Sequence, residues 1–362
     1  MTIHFAYASI PGSGLLARLR GKTIRVAQRL GLPLSYVGDR AALDSSAWPP
    51  RAPLSITHHV LGALRGIGEV RFYDWKERLA IHARPGDLLI GHPFPGVPGT
   101  VFNRACRDGR FAARIALVPM HQGLAEYCQA ISPALDSCDH ILGIMGPYWF
   151  DTWRQGPFAH WAPKITPVDM AVEVRHFPRI KRGFNPSGRR KFLFIGNGEP
   201  YKGAHLLSIL FGLAKGKHAC VWIGADRMLP NLERRPSQRL EGAVMERVAA
   251  ECDVFLTMGV SDANPTTILE SMAWGFPVAC TPQSGYYGMS EIEELSTTDM
   301  ARNLETLDYF QEADEGELLA MADKARRLVE TRFTFERLTR TVLDTVLRLT
   351  PDLATGKVAG SG

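Results

Sequence analysis

The feature that most constrains this chain is an alternation that runs once, stops, and starts again. In the first half, Ile3–Ala8, Val70–Tyr73, Leu88–Ile90, Ile115–Val118 and Ile141–Ile144 are short apolar runs of strand length. Helix-period segments such as Leu15–Leu30 and Thr57–Leu64 lie between them. Strands that alternate with helices predict parallel sheets covered by crossover helices. Pro178–Arg190 (PRIKRGFNPSGRR) then breaks the pattern with Pro, Gly and basic residues and no periodicity, as a linker does. The strand runs resume at Lys191–Ile195, Ala219–Ile223, Val254–Leu256 and Val278–Cys280, with helices predicted over Gly203–Leu213, Glu241–Ala250 and Thr267–Trp274. A helical stretch follows over Glu315–Leu349, broken near Arg332–Thr334. The expectation is two doubly wound α/β units in tandem, with a ligand cleft between the carboxyl ends of their strands. The length of 362 residues fits two such domains.

Composition narrows the class. No run of about 18 apolar residues is present to span a bilayer, and Met1–Gly31 lacks the apolar core of a secretory signal, so a cytoplasmic protein is expected. The six cysteines are scattered without a C-x-x-C pair, which predicts reduced thiols rather than a disulfide framework or a zinc site. The net charge of +5 is uneven: residues 1–180 carry +7 and residues 181–362 carry −2. Nucleic-acid binding is not expected, because the arginines are dispersed and no recognition motif accompanies them. From Val248 to Ala301 there is no Lys or Arg, so an anion held there needs backbone N–H groups or side chains from elsewhere.

Two loops of the second half carry chemistry. Gly196-Asn197-Gly198-Glu199-Pro200-Tyr201-Lys202-Gly203 follows a strand and opens a helix. Glycines let backbone amides approach a phosphate, and Lys202 adds a full charge. A plain strand-to-helix turn reads the same way, since the loop is neither G-x-G-x-x-G nor a P-loop. The second loop runs from Ser261-Asp262-Ala263-Asn264-Pro265-Thr266-Thr267 into a helix that stops at Gly275. Asn264 or Asp262 suits the N-cap there and Pro265 the first helical position. Glu270, one turn in, can face the cleft and accept bonds from a diol, or lie on a solvated helix face.

The order and spacing of these loops resemble the retaining glycosyltransferases of family 4, which have the GT-B architecture of two Rossmann-like domains facing across a cleft. The likeness lies in Phe194-Ile195-Gly196-Asn197 through Lys202-Gly203, in the acid pair Asp262 and Glu270, and in Glu270-Ser271-Met272-Ala273-Trp274-Gly275-Phe276-Pro277-Val278. Thr281–Gly285, Lys164–Asp169 through Phe177-Pro178, and Glu330–Arg337 agree as well, and Gly91-His92 and Met120-His121 end strands where the family has cleft histidines. The resemblance covers residues 164–350 closely and the first half loosely.

It implies an acceptor domain over 1–180, a linker over 181–190, a nucleotide-sugar domain over 191–335, and a final helix in 336–362 that packs back on the first domain. Lys202 would neutralise the donor diphosphate, Glu270 would hold the ribose hydroxyls, and Asp262 would meet the transferred sugar. The stretch Ala263, Asn264, Pro265, Thr266 and Thr267 would cradle the phosphates through its backbone N–H groups. His121 would contact the sugar near its anomeric carbon. Gly12, Gly196 and Asn197 complete the donor side. No cofactor and no metal are implied; the donor is a UDP- or GDP-sugar, the acceptor a glycan, a lipid-linked molecule or a small molecule, and the product a polysaccharide or glycolipid.

Two positions depart from the family pattern. Asn197 stands where the family has Arg, with Arg227 as a substitute, and Asp262 is one methylene shorter than the usual Glu. They keep open a catalytically silent nucleotide-sugar-binding protein, and a GT-B nucleotide-sugar epimerase stands beside it as a second alternative. The helix Leu15–Leu30 carries five basic residues and no acid, which suits either a packed crossover helix or peripheral contact with anionic lipid.

Overall fold

The structure, a computed structural model, describes residues 1–9, 52–78, 80–97, 99–154, 156 and 159–351. The first domain holds six parallel strands: β1 (Thr2–Tyr7), β2 (Glu69–Asp74), β3 (Leu88–Gly91), β4 (Ala113–Pro119), β5 (His140–Ile144) and β6 (Ile165–Val168). They lie in the order β2-β1-β3-β4-β5-β6. The second domain repeats the plan with β7 (Lys191–Ile195), β8 (Ala219–Ile223), β9 (Glu233–Arg235), β10 (Val254–Thr257), β11 (Val278–Cys280) and β12 (Glu293–Glu294), ordered β12-β11-β10-β7-β8-β9. Central strands such as Leu88–Gly91 and Val254–Thr257 are buried at every residue, which is why they read as unbroken apolar runs rather than alternating ones. The two-domain α/β fold expected from the alternation is therefore present. The short strands β6, β9 and β12 were not singled out by apolar pattern; β9 and β12 consist of Glu and Arg alone.

Strand order locates the ligand crevices. In each sheet the chain first builds to one side of the starting strand and then to the other, and the crevice opens outside the carboxyl ends where it reverses. That point falls between β1 and β3 in the first sheet and between β7 and β10 in the second.

The described helices include α1 (Ala52–Arg65), α2 (Val101–Ala105), α3 (Ala125–Ser137), α4 (Pro147–Trp153), α5 (Ala204–Leu213), α6 (Gly242–Glu251), α7 (Thr266–Trp274), α8 (Met300–Glu312), α9 (Glu315–Thr331) and α10 (Phe335–Leu349). Thr334 accepts the Arg337 N–H and caps α10, which explains the break in the C-terminal helical stretch. The buried side of α10 carries Phe335, Leu338, Val342 and Val346 at helical spacing, and it packs on α1 of the first domain. One apolar cluster runs from sheet to sheet through Met170, Val172, Phe333 and Tyr286, while the outer face of each sheet has a core of its own.

Residues 181–190 are fastened to the second domain. Buried Lys181 donates to the Asp253 carboxylate at 2.8 Å, and Asp253 also accepts from the backbone N–H groups of Asn185 and Lys191. Arg190 donates to the Phe310 carbonyl at 2.7 Å and to that of Ala313 at 2.6 Å, closing the end of α8. All six cysteines are buried and free. Among the described residues no helix is long and apolar enough to cross a membrane. Gly12 and the basic stretch Leu15–Leu30 lie outside the described residues.

Candidate functional site

The two loops at the switch point of the second sheet, one after β7 and one after β10, meet at Lys202 and Asp262. Lys202 ends a single 3-10 turn, Pro200–Lys202, and Gly203 follows with φ +75° before α5 begins. A side chain at Gly203 would meet the Met258 carbonyl oxygen at 1.8 Å, so this left-handed glycine lets the lysine loop lie directly on the β10 end. The Val260 N–H donates to the Tyr201 carbonyl at 2.9 Å and ties the loops together. The Lys202 ammonium then donates to the largely buried Asp262 carboxylate. Burial works against the lysine charge, but the charge and hydrogen bond of Asp262 overcome it and hold the Lys202 pKa above its usual value.

Glu270 lies half-buried one turn into α7, as expected from its position. Burial raises its carboxyl pKa to about 7, against the opposing pull of a Thr266 hydrogen bond and the Lys202 charge. His121, at the carboxyl end of β4, faces this group from the first domain. Its Nδ1 lies 3.2 Å from the Ser261 carbonyl oxygen, which can only accept, so Nδ1 carries the proton. Burial lowers the His121 pKa, partly offset by Asp262, and the neutral ring offers Nε2 as an acceptor. Tyr201 and Tyr127 flank the ring at 5.6 and 5.3 Å.

The start of α7 differs from expectation. The N-cap is Pro265, not Asn264 or Asp262, and Pro265 is not the first helical residue. Pro265 has no polar side chain, so the N-cap makes no side-chain bond to the first-turn amides. The loop also holds buried polar atoms without partners: Ser261 Oγ and both Oδ1 and Nδ2 of Asn264, whose residue is 7% exposed. Buried groups of this kind normally have a partner. They lie beside a helix start that has no side-chain cap, so this loop concentrates polar groups whose hydrogen bonds are not made within the protein.

The glycine loop is less available than its sequence suggests. The Gly196 N–H is committed to the Ile223 carbonyl at 3.0 Å and its own carbonyl to the Trp222 indole at 2.8 Å. The Gly198 N–H donates to the Asp226 carboxylate at 3.0 Å. Asn197 is exposed, and Arg227 lies against Gly198 with its charge beside Asp226. His92 is buried at the end of β3 among Tyr7 and Trp75, with its pKa lowered by burial to about 3. Among the described residues no group of three or more His, Cys, Asp or Glu side chains is arranged to hold a metal ion.

Several contacts around the site were not anticipated from the sequence. Trp149 Nε1 donates to the Asp262 carbonyl at 2.9 Å and to the Gln283 carbonyl at 3.1 Å, and the Gly146 N–H donates to the Ala263 carbonyl at 3.1 Å. The available signal is the run Gly146-Pro147-Tyr148-Trp149-Phe150, dense in aromatics at the end of a predicted strand.

No family model matches this sequence and no curated protein matches it significantly. Solved structures do match the fold. A glycosyltransferase from Rickettsia africae ESF-5 superposes with a TM-score of 0.55 at 13% identity, covering 96% of this chain and 98% of that one. HepE from Anabaena, solved with UDP and glucose, gives 0.55 at 12% identity over 96% and 100% of the two chains. OtsA, solved in its apo form, gives 0.57 at 10% identity over 95% and 98%. The fold is therefore GT-B, two Rossmann-like domains facing across a cleft, as in these glycosyltransferases.

Proposed function

We propose that this protein is a retaining glycosyltransferase of the family 4 type, moving a sugar from a nucleoside diphosphate to an acceptor hydroxyl. The observation that carries the reading is the convergence of Lys202, Asp262 and Glu270 at the switch point of the second sheet, with His121 facing them from the first domain. A single cation beside an uncapped helix start is what a diphosphate needs in a segment that has no Lys or Arg of its own.

In this reading Glu270 accepts from the ribose hydroxyls, and the diphosphate sits between Lys202 and the first amides of α7. Asn264 and Ser261 bond its oxygens, and Arg227 reaches it across Gly198 in place of the missing arginine at Asn197. Asp262 turns from Lys202 toward the hydroxyls of the transferred sugar, and His121 Nε2 accepts from that sugar near its anomeric carbon. As the C1–O bond breaks, negative charge grows on the departing phosphate while positive charge grows at C1. Lys202 and the α7 amides therefore stabilise the transition state more than the bound donor. The acceptor hydroxyl attacks from the same face, and its proton passes to the leaving phosphate oxygen. Residues 191–335 are assigned to the donor, and residues 1–180 with the returning helix α10 to an acceptor such as a glycan or glycolipid precursor. The +7 charge of residues 1–180 favours an acceptor with anionic groups.

The test is a thermal-shift series with UDP, GDP and their sugars, followed by product analysis on acceptor mixtures. A ligand at one hundred times its Kd stabilises the native state by about 2.7 kcal/mol, which is easily seen. UDP is the first candidate. Glu270→Ala should abolish that shift, and transfer with it, while its own melting temperature stays near that of the wild type. No shift with any nucleotide, or an unaltered shift in the variant, would remove this reading.

A further inference from the structure

Three donors on the first domain take three consecutive carbonyls of the loop between β10 and α7. His121 Nδ1 bonds Ser261 O, Trp149 Nε1 bonds Asp262 O, and the Gly146 N–H bonds Ala263 O. The indole proton is shared with Gln283 O, which also accepts the Asp262 N–H at 3.0 Å. On the first domain, Gln122 Nε2 donates to the Trp149 carbonyl at 2.7 Å, so the end of β4 and the start of α4 present His121 and Trp149 as one surface. The fit is close. A Cβ at Gly146 would stand 1.6 Å from the Gly285 carbonyl oxygen, and one at Gly123 would stand 2.8 Å from Ser261 Cβ and Oγ.

Asp262 stands at the centre of this contact. Its N–H and carbonyl are both fixed by bonds that involve Gln283 or Trp149, and with its backbone held the carboxylate is directed at Lys202. Trp149 bonds the Asp262 backbone and not its carboxylate, so it acts on that carboxylate through the Asp262 peptide. We propose that Trp149 is a positioning residue and, with Gly146, an interdomain latch: closing the first domain on the second sets the Asp262 carboxylate in place. The reaction it serves rests on the reading of the cleft as a transferase site, whereas the latch itself is a property of the two domains. In the proposed reading the nucleotide is held by residues of the second domain and Asp262 meets the transferred sugar, so the latch governs turnover rather than nucleotide affinity.

Two substitutions test this. Trp149→Phe keeps the ring and removes the shared N–H; Gly146→Ala sets a methyl group against the Gly285 backbone and prevents closure, leaving both sheets intact. In Trp149→Phe, kcat should fall about tenfold, the effect of one lost buried hydrogen bond made only in the closed state, while the nucleotide Kd stays within about twofold. Gly146→Ala should cost about a hundredfold, since closure itself is blocked. In both, the Gly146 amide should lose its protection against hydrogen exchange and the radius of gyration by X-ray scattering should rise. An unchanged kcat in Trp149→Phe, with the Gly146 amide still protected, would overturn the proposal. If the variants open by exchange and scattering while the wild type transfers no sugar from any donor, the transferase reading falls and the latch stands.

Discussion

The two loops at the switch point of the second sheet look alike in position and differ in what they leave free. The loop after β7 has the glycines and the lysine of a phosphate binder, yet the amides of Gly196 and Gly198 are already taken by Ile223 and Asp226. The loop after β10 has no cation and no glycine run. Its carbonyls at Ser261, Asp262 and Ala263 are tied to the first domain, its helix start has no side-chain cap, and Asn264 is buried with no partner. In the proposed reading the anion is therefore held by the loop whose sequence advertises it less, and the glycine loop contributes one side chain, Lys202. A loop's amides serve a ligand only where the fold has not spent them.

The largest expected effect separates Lys202 from the rest of its loop. Lys202→Ala should lower kcat/KM by about a thousandfold, the scale of removing one charge from a developing oxyanion. Asn197→Ala, on the same loop but exposed, should change it by less than about threefold. Equal losses in steady-state transfer assays would return the glycine loop as a whole to the phosphate site.

How far this contrast was legible in the sequence follows from which interactions are local. The strands that the apolar runs placed, the stop at Gly275 and the break before α10 are set by neighbouring residues, and they lie where the pattern placed them, whereas β6, β9, β12 and α8 carried no such signal. Lys202, Asp262 and Glu270 stood out because their spacing resembles a known family. The commitments of the Gly196 and Gly198 amides were hidden, because their acceptors lie 27 and 28 residues away. Trp149 was hidden for the same reason more strongly: its partner carbonyls are 113 and 134 residues distant, in the other domain. The N-cap was misplaced because an Asn or Asp before a proline is a good cap by type, whereas the observed backbone makes Pro265 the boundary.

Asn264 sharpens the comparison from the other loop. A buried amide side chain without a partner costs the free protein stability of about 1–3 kcal/mol, which a bound ligand that bonds it would restore. Asn264→Ala should therefore melt at or above the wild-type temperature without nucleotide, and bind nucleotide about tenfold more weakly. Loss of stability in the free variant, measured by calorimetry, would mean that the side chain already has a structural partner.

The smallest effect is a pH dependence that belongs to Glu270. Its pKa is raised from 4.5 to about 7, so the folded protein holds this proton more tightly than the unfolded chain. Stability from this group is fully present below pH 4.5 and is lost as pH rises through 7. Nucleotide affinity runs the opposite way, because two ribose hydroxyls donating to Glu270 need its ionised form. The wild-type Kd should tighten about fivefold between pH 6 and pH 7, once the titration of the nucleotide phosphate is subtracted by comparison with Glu270→Gln. That variant binds more weakly throughout and should lack the extra slope. If both proteins show the same pH profile in calorimetric titrations, the ribose contact at α7 is wrong, and the ligand's charge is read by Lys202 and the helix start alone.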